Sequence, residues 1–164
     1  EADLVESLLR ESGGTAVLDA GCGTGRVAIE LADRGLAVVG VDADPGMLAS
    51  AQAKAPGLDW IEADLADLGA ALPGDFDLIL LAGNVMIFLE PGSERRVLAG
   101  LATRLRPAGL LVAGFSVRPR RLSVDRYDEL AAEACLVPVA RWATWDRRPF
   151  TGGDYAVSVH RRAG

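Results

Sequence analysis

Glycines at positions 21, 23 and 25, preceded by Asp19, mark the run Val17-Leu-Asp-Ala-Gly-Cys-Gly-Thr-Gly-Arg26. Without a Cβ, each glycine lets the backbone turn sharply and lets a ligand approach it closely. A helix starting just beyond them offers free N–H groups and a positive dipole end, suited to a carboxylate or phosphate. The bland alternative is a tight structural turn that binds nothing. Of ligands that use such a turn, dinucleotides favour the pattern G-x-G-x-x-G/A, which from Gly21 needs a small residue at position 26. That position is Arg26, and the spacing is G-x-G-x-G. A nicotinamide-dependent oxidoreductase is therefore a disfavoured rival.

Further polar candidates stand at the ends of apolar runs. Asp42 closes Val38-Val-Gly-Val-Asp42, Asp64 follows Ile61-Glu-Ala, and Asn84 lies just beyond Leu81. Each has a plainer reading, as a solvated strand end, a loop cap or a turn-forming Asn. His160 is the single histidine, and its place inside an apolar run makes it a packed or surface residue rather than a general base. Cys22 and Cys135 form neither a zinc spacing nor a disulfide framework, and no metal site is expected. Trp142 and Trp145 read as core or rim packing, with Trp145 a lesser candidate for the substrate pocket.

The elements that must position these residues alternate short apolar runs with amphipathic stretches. That pattern predicts an α/β fold with a parallel sheet. Strands are expected at Ala16–Asp19, Ala37–Asp42, Leu58–Glu62, Asp77–Ala82 and Gly109–Phe115, with near-continuous Val, Leu and Ile as in strands buried on both faces. One helix carries Val27, Ala28, Leu31 and Ala32 and stops at Gly35. Asp44-Pro45 caps another, leading into Met47, Leu48 and Ala51. Ser93 is expected to cap a third, ended by Pro107, and Ser123 a fourth. Leu65–Leu72 gives a weak helical signal. Alternation in Val137, Val139 and Ala143, and again in Tyr155, Val157 and Val159, predicts a C-terminal hairpin around Asp146–Gly153. With no long linker, repeat or low-complexity tract, residues 1–164 read as one domain.

The glycine turn resembles motif I of the class I S-adenosylmethionine (SAM)-dependent methyltransferases, whose usual form is close to V-L-D-x-G-C-G-T-G. Likeness continues at Asp42, at Ile61-Glu-Ala-Asp64-Leu65, at Asp77–Leu81 and at Arg106-Pro-Ala-Gly-Leu-Leu111, covering roughly residues 15 to 115. The resemblance implies a doubly wound, mostly parallel seven-stranded sheet of order 3-2-1-4-5-7-6, with strand 7 antiparallel and helices on both faces. It implies SAM as the cofactor, S-adenosylhomocysteine as the product, and methyl transfer to an acceptor, expected to be a small molecule. Asp42 would hold the ribose hydroxyls, while Ala43 and Met47 would flank the adenine. The Asp64 carboxylate would meet the adenine amino group, and the Leu65 N–H the ring. Asp19, Gly21, Gly23, Gly25 and Ala82 complete the expected cofactor set. Asp19 suits a ligand with a sulfonium and an ammonium better than a pyrophosphate. Methyl transfer draws much of its catalysis from placement, so no catalytic base is named. Ala82-Gly-Asn-Val85 departs from the N-P-P-Y type motif of many amino-group and nucleobase methylators, which lowers those acceptor classes. A non-catalytic SAM-binding module remains a further alternative.

Composition sets outer bounds. The chain has 164 residues and a net charge of −6, which argues against a nucleic-acid partner gripped through a broad basic surface. The longest apolar run, Leu78–Leu89, is broken by Gly83 and Asn84 and is too short for a membrane span. The acidic opening residues Glu1, Asp3 and Glu6 do not resemble a signal peptide, so a cytoplasmic protein is expected. Arginines cluster after the fifth strand (Arg118, Arg120, Arg121) and in the hairpin (Arg147, Arg148). Both segments should reach the carboxyl edge of the sheet, where ligands bind in open α/β folds. Their convergence predicts an anionic acceptor, with Asn84, Arg118, Trp145 and Arg147 as candidate contacts.

Overall fold

The computed structural model describes residues 1–68, 72–118 and 120–164. Its elements run α1 (Ala2–Ser12), β1 (Ala16–Ala20), α2 (Arg26–Asp33), β2 (Ala37–Asp42), α3 (Pro45–Lys54) and β3 (Asp59–Glu62), then β4 (Phe76–Leu81) and α4 (Val85–Phe88). They continue through α5 (Glu94–Thr103), β5 (Leu105–Ser116), α6 (Val124–Glu133), β6 (Leu136–Trp142) and β7 (Tyr155–Arg162). The seven strands form one sheet of order β3-β2-β1-β4-β5-β7-β6. The first five pair in parallel, and β7 runs antiparallel to both β5 and β6. That is the order implied by the resemblance.

Successive strand side chains point to opposite faces, so the sheet supplies two cores. On one face Leu18, Val41, Ile79, Leu81, Leu111 and Phe115 pack against Leu98, Leu101, Tyr127 and Leu130 from α5 and α6. On the other, Val17, Leu78, Leu80, Val112 and Val157 pack against Leu4, Val5, Leu8, Val27 and Leu31 from α1 and α2. Both faces of the sheet being covered explains why the central strands are almost unbroken runs of aliphatics.

Several boundaries differ from the sequence expectation. Helix α5 ends at Thr103, and Pro107 lies inside β5 instead of stopping a helix. There the chain bulges: Phe76 pairs with Leu105 but Leu78 with Leu110, and Ala108 adopts φ 63°. A bulge tolerates proline because it already forgoes a ladder hydrogen bond. Ser93 stands at the start of α5 without capping it; its hydroxyl donates back to the Glu90 carbonyl at 2.7 Å. Of the weak helix at Leu65–Leu72, a 3₁₀ turn at Leu65–Asp67 is present, and residues 69–71 lie outside the described residues. Ser123 and Asp44 cap their helices as expected. No helix among the described residues is long and apolar enough to cross a membrane.

Candidate active site

The carboxyl ends of β1, β2 and β4 open onto a cavity of about 730 Å³. Its wall includes Gly21, Gly23, Asp42, Ala43, Met47, Asp64 and Leu65. Asp19, Gly25 and Ala82, also expected at the cofactor, are buried and do not line it.

The three glycines of the turn do different things. All have positive φ, at 80°, 55° and 78°, a region costly for residues with a Cβ. A Cβ on Gly21 would come within 2.5 Å of Val85, and one on Gly25 within 2.5 Å of the Trp60 ring. Those two glycines let the turn pack on α4 and β3. A Cβ on Gly23 would meet nothing within 4 Å. Gly23 is the position whose bare Cα leaves space at the cavity wall.

Asp42 joins the turn to the end of β2. Its Oδ2 accepts from the Gly23 N–H at 2.8 Å and its Oδ1 from the Asp44 N–H at 2.9 Å. One bond to each oxygen fixes the carboxylate while leaving lone pairs for a ligand. Asp64 similarly accepts from the Ala66 N–H through Oδ1 at 2.8 Å, which caps the 3₁₀ turn. Asp44 is committed to α3, where Oδ1 accepts from Gly46 and Met47.

Asp19 is buried beneath the turn at 2% exposure. Burial raises its carboxyl to a pKa of about 7, assisted by the negative charges of Glu1 and Asp42. Burial also raises the Cys22 thiol to about 12, so it is no nucleophile at neutral pH. Arg26 is held by Glu1, with contacts of 3.1 and 2.9 Å.

The short helix α4 contributes residues with no clear signal in the sequence. Val85, Phe88 and Leu89 line the cavity, and Phe88 is 78% exposed at its mouth. Four residues are too few for a periodic pattern, and the packing of Val85 on Gly21 is a tertiary fact. Asn84 starts α4 at φ 67°, with Oδ1 accepting from the Ser116 N–H at 2.7 Å. It ties the turn after β4 to the end of β5, and among the described residues its amide N–H₂ donates to no partner.

The arginines do not converge as the sequence suggested. Arg147 stacks 5.2 Å from the Trp142 ring, donates to Ser7 Oγ at 3.0 Å and pairs with Glu11 at 3.5 Å. It fastens the hairpin to α1. Arg148 pairs with Asp146. Arg120 and Arg121 lie on the opposite face of the sheet, near α4 and α6, and Arg118 is exposed. Trp145 fills the space left by Gly114 on β5, and its Nε1 donates to the Tyr155 hydroxyl at 3.1 Å. His160 is buried, 3.2 Å from Asp128 but out of line for a hydrogen bond. Burial lowers its pKa, and Asp128 is already bonded to Arg141. Among the described residues no cluster of metal-ligating side chains occurs.

Residues 17–109 match the family model described as a methyltransferase domain. The chain belongs to the class I SAM-dependent methyltransferase family. It is 35% identical over 117 residues to a glycine/sarcosine N-methyltransferase of Parasynechococcus marenigrum, covering 68% of this chain and 42% of that protein. It is 37% identical over 97 residues to a trans-aconitate 2-methyltransferase of Azoarcus, covering 58% and 36%. A TehB-like SAM-dependent methyltransferase of Corynebacterium glutamicum superposes with a TM-score of 0.88 at 32% identity, covering 98% of this chain and 86% of that one. The chain spans less than half the length of these two curated relatives.

Proposed function

We propose that this domain binds SAM in the cavity over the glycine turn and transfers its methyl group to a small acceptor bearing an anionic group. The observation that carries this reading is the pairing of the Asp42 carboxylate with the open Cα of Gly23 on one wall. A carboxylate held by two N–H groups, with lone pairs to spare, suits a vicinal diol. The cavity also has the size expected of a small-molecule site.

Asp42 would accept from both ribose hydroxyls. The free oxygen of Asp64 would accept from the adenine amino group, with Met47 and Leu65 against the ring. Gly23 would allow the backbone close to the ligand, and Asp19, once ionised above about pH 7, would favour its positive charges from below. SAM, when bound, supplies a methyl group on a cationic sulfur. The chain's part is to hold that group against an acceptor placed near Asn84, whose spare amide N–H₂ can donate to it. Placement alone supplies several kcal/mol of a displacement barrier, roughly 7–11 in favourable cases.

The acceptor's charge rests on two supports. The relatives above are named for glycine, sarcosine and trans-aconitate, all of which carry carboxylates. Arg120 and Arg121 line a second cavity that shares Leu89 with the first. The test is a screen of amino acids and di- and tricarboxylates for conversion of SAM to S-adenosylhomocysteine. Turnover with an anionic acceptor is expected, and none with its neutral amide. If S-adenosylhomocysteine binds but no acceptor is turned over, the domain is a SAM-binding module and the catalytic reading fails.

A further inference from the structure

A second cavity, of about 300 Å³, lies between α4, the start of α5 and the loop leading into α6. Its apolar lining comes from Met86, Ile87 and Leu122. Leu89 lines both this cavity and the larger one, so the two are neighbours across a single side chain. Three arginines, Arg120, Arg121 and Arg126, face it against one acid, Glu94. That acid is occupied, since its Oε2 accepts from the Gly92 N–H at 2.8 Å. Arg126 is shared with Glu129 at 2.8 Å. Among the described residues, no ion pair involves Arg120 or Arg121.

Two guanidinium groups that enter no ion pair among the described residues thus stand beside an apolar floor, in a chain of net charge −6. Arg120 also holds φ 64°, a left-handed conformation unfavourable for a residue with a Cβ. We propose that this second cavity is the acceptor's anion subsite. It would take a carboxylate or phosphate in the forks of Arg120 and Arg121, with the acceptor's apolar body along Met86, Leu89 and Leu122. Guanidinium forks match both anions in bidentate geometry. The purpose of the subsite rests on the methyl-transfer reading above; the existence of an anion site does not.

The experiment is an NMR titration of the labelled protein, with and without S-adenosylhomocysteine, using phenylacetate, phenyl phosphate and the neutral phenylacetamide. The amides of Leu89, Arg121 and Leu122 should shift with one or both anions, and at least tenfold more weakly with phenylacetamide. The preferred anion separates a carboxylate from a phosphate acceptor. In an R120G/R121A variant, whose glycine accepts the positive φ without strain, anion binding should weaken at least tenfold. Once an acceptor is known, the same variant should raise KM and leave kcat nearly unchanged. Anion binding unaltered in the variant, shifts confined to Gly23 and Asp42, or no shift at all would each overturn the proposal. A failure of S-adenosylhomocysteine to shift Gly23, Asp42 and Leu65 would overturn the methyl-donor reading instead, and the ligand-free titration still decides the subsite.

Discussion

At the scale of the residue, the glycine turn shows how one motif divides its work. Gly25 is a packing residue, because Trp60 occupies the space a side chain would need, whereas Gly23 borders open cavity. Gly25→Ala should therefore destabilise the fold by about 2 kcal/mol or more, combining left-handed strain with the clash. Thermal unfolding should register it as a drop of roughly 2–4 °C per kcal/mol. Gly23→Ala should cost only the backbone term, yet weaken S-adenosylhomocysteine binding more than Gly25→Ala weakens it per unit of lost stability. Equal effects of the two changes on melting temperature would contradict that division. Asp42→Ala removes charge-assisted contacts and should weaken binding by about 1.5–3 kcal/mol, on the order of ten- to a hundredfold. Equilibrium dialysis against wild type checks this, and an unchanged affinity would mean that the ribose is held elsewhere. The sequence made Asp42 legible because an acid ended a buried strand. It could not show that the same carboxylate also grips Gly23, since nineteen positions separate the two.

At the scale of the element, the buried parallel strands were readable because burial on both faces leaves continuous aliphatic runs. Helix α1 carries an equally plain signal, with Leu4, Val5, Leu8 and Leu9 repeating along one face. Pro107 reads as a helix stop in sequence, but the bulge it occupies depends on the pairing of β5 with β4. Helix α4 was hidden by its shortness. The hairpin was legible as alternation, but its docking was not: Arg147 belongs to the contact with Trp142 and α1. Arg147→Ala should lower stability by about 0.5–1 kcal/mol, the range for a partly exposed cation–π and ion-pair contact. It should leave the KM for an anionic acceptor unchanged. A selective rise in KM would restore the substrate role suggested by sequence.

At the scale of the whole molecule, the buried charge beneath the cavity couples stability to pH. Asp19 is raised by burial to about 7, above its ordinary value, so between about pH 4 and 7 the folded state holds a proton that the unfolded state has lost. Its contribution to stability is thus present at low pH and is lost as pH rises through 7, at up to about 1.4 kcal/mol per pH unit. His160, whose pKa burial lowers, acts in the opposite sense below its ordinary value. Comparing denaturation of wild type and Asp19→Asn across that window isolates the first effect. The variant should gain stability relative to wild type as pH rises from 4 to 7, and a constant difference would mean that Asp19 stays ionised. The central claim concerns which ligand the cavity over the glycine turn accepts, and calorimetric titration tests it most directly. S-adenosylhomocysteine should bind at one site per chain, Asp42→Ala should weaken it at least tenfold, and NAD should give no binding heat. Tight NAD binding, with no response to SAM or S-adenosylhomocysteine, would contradict the account.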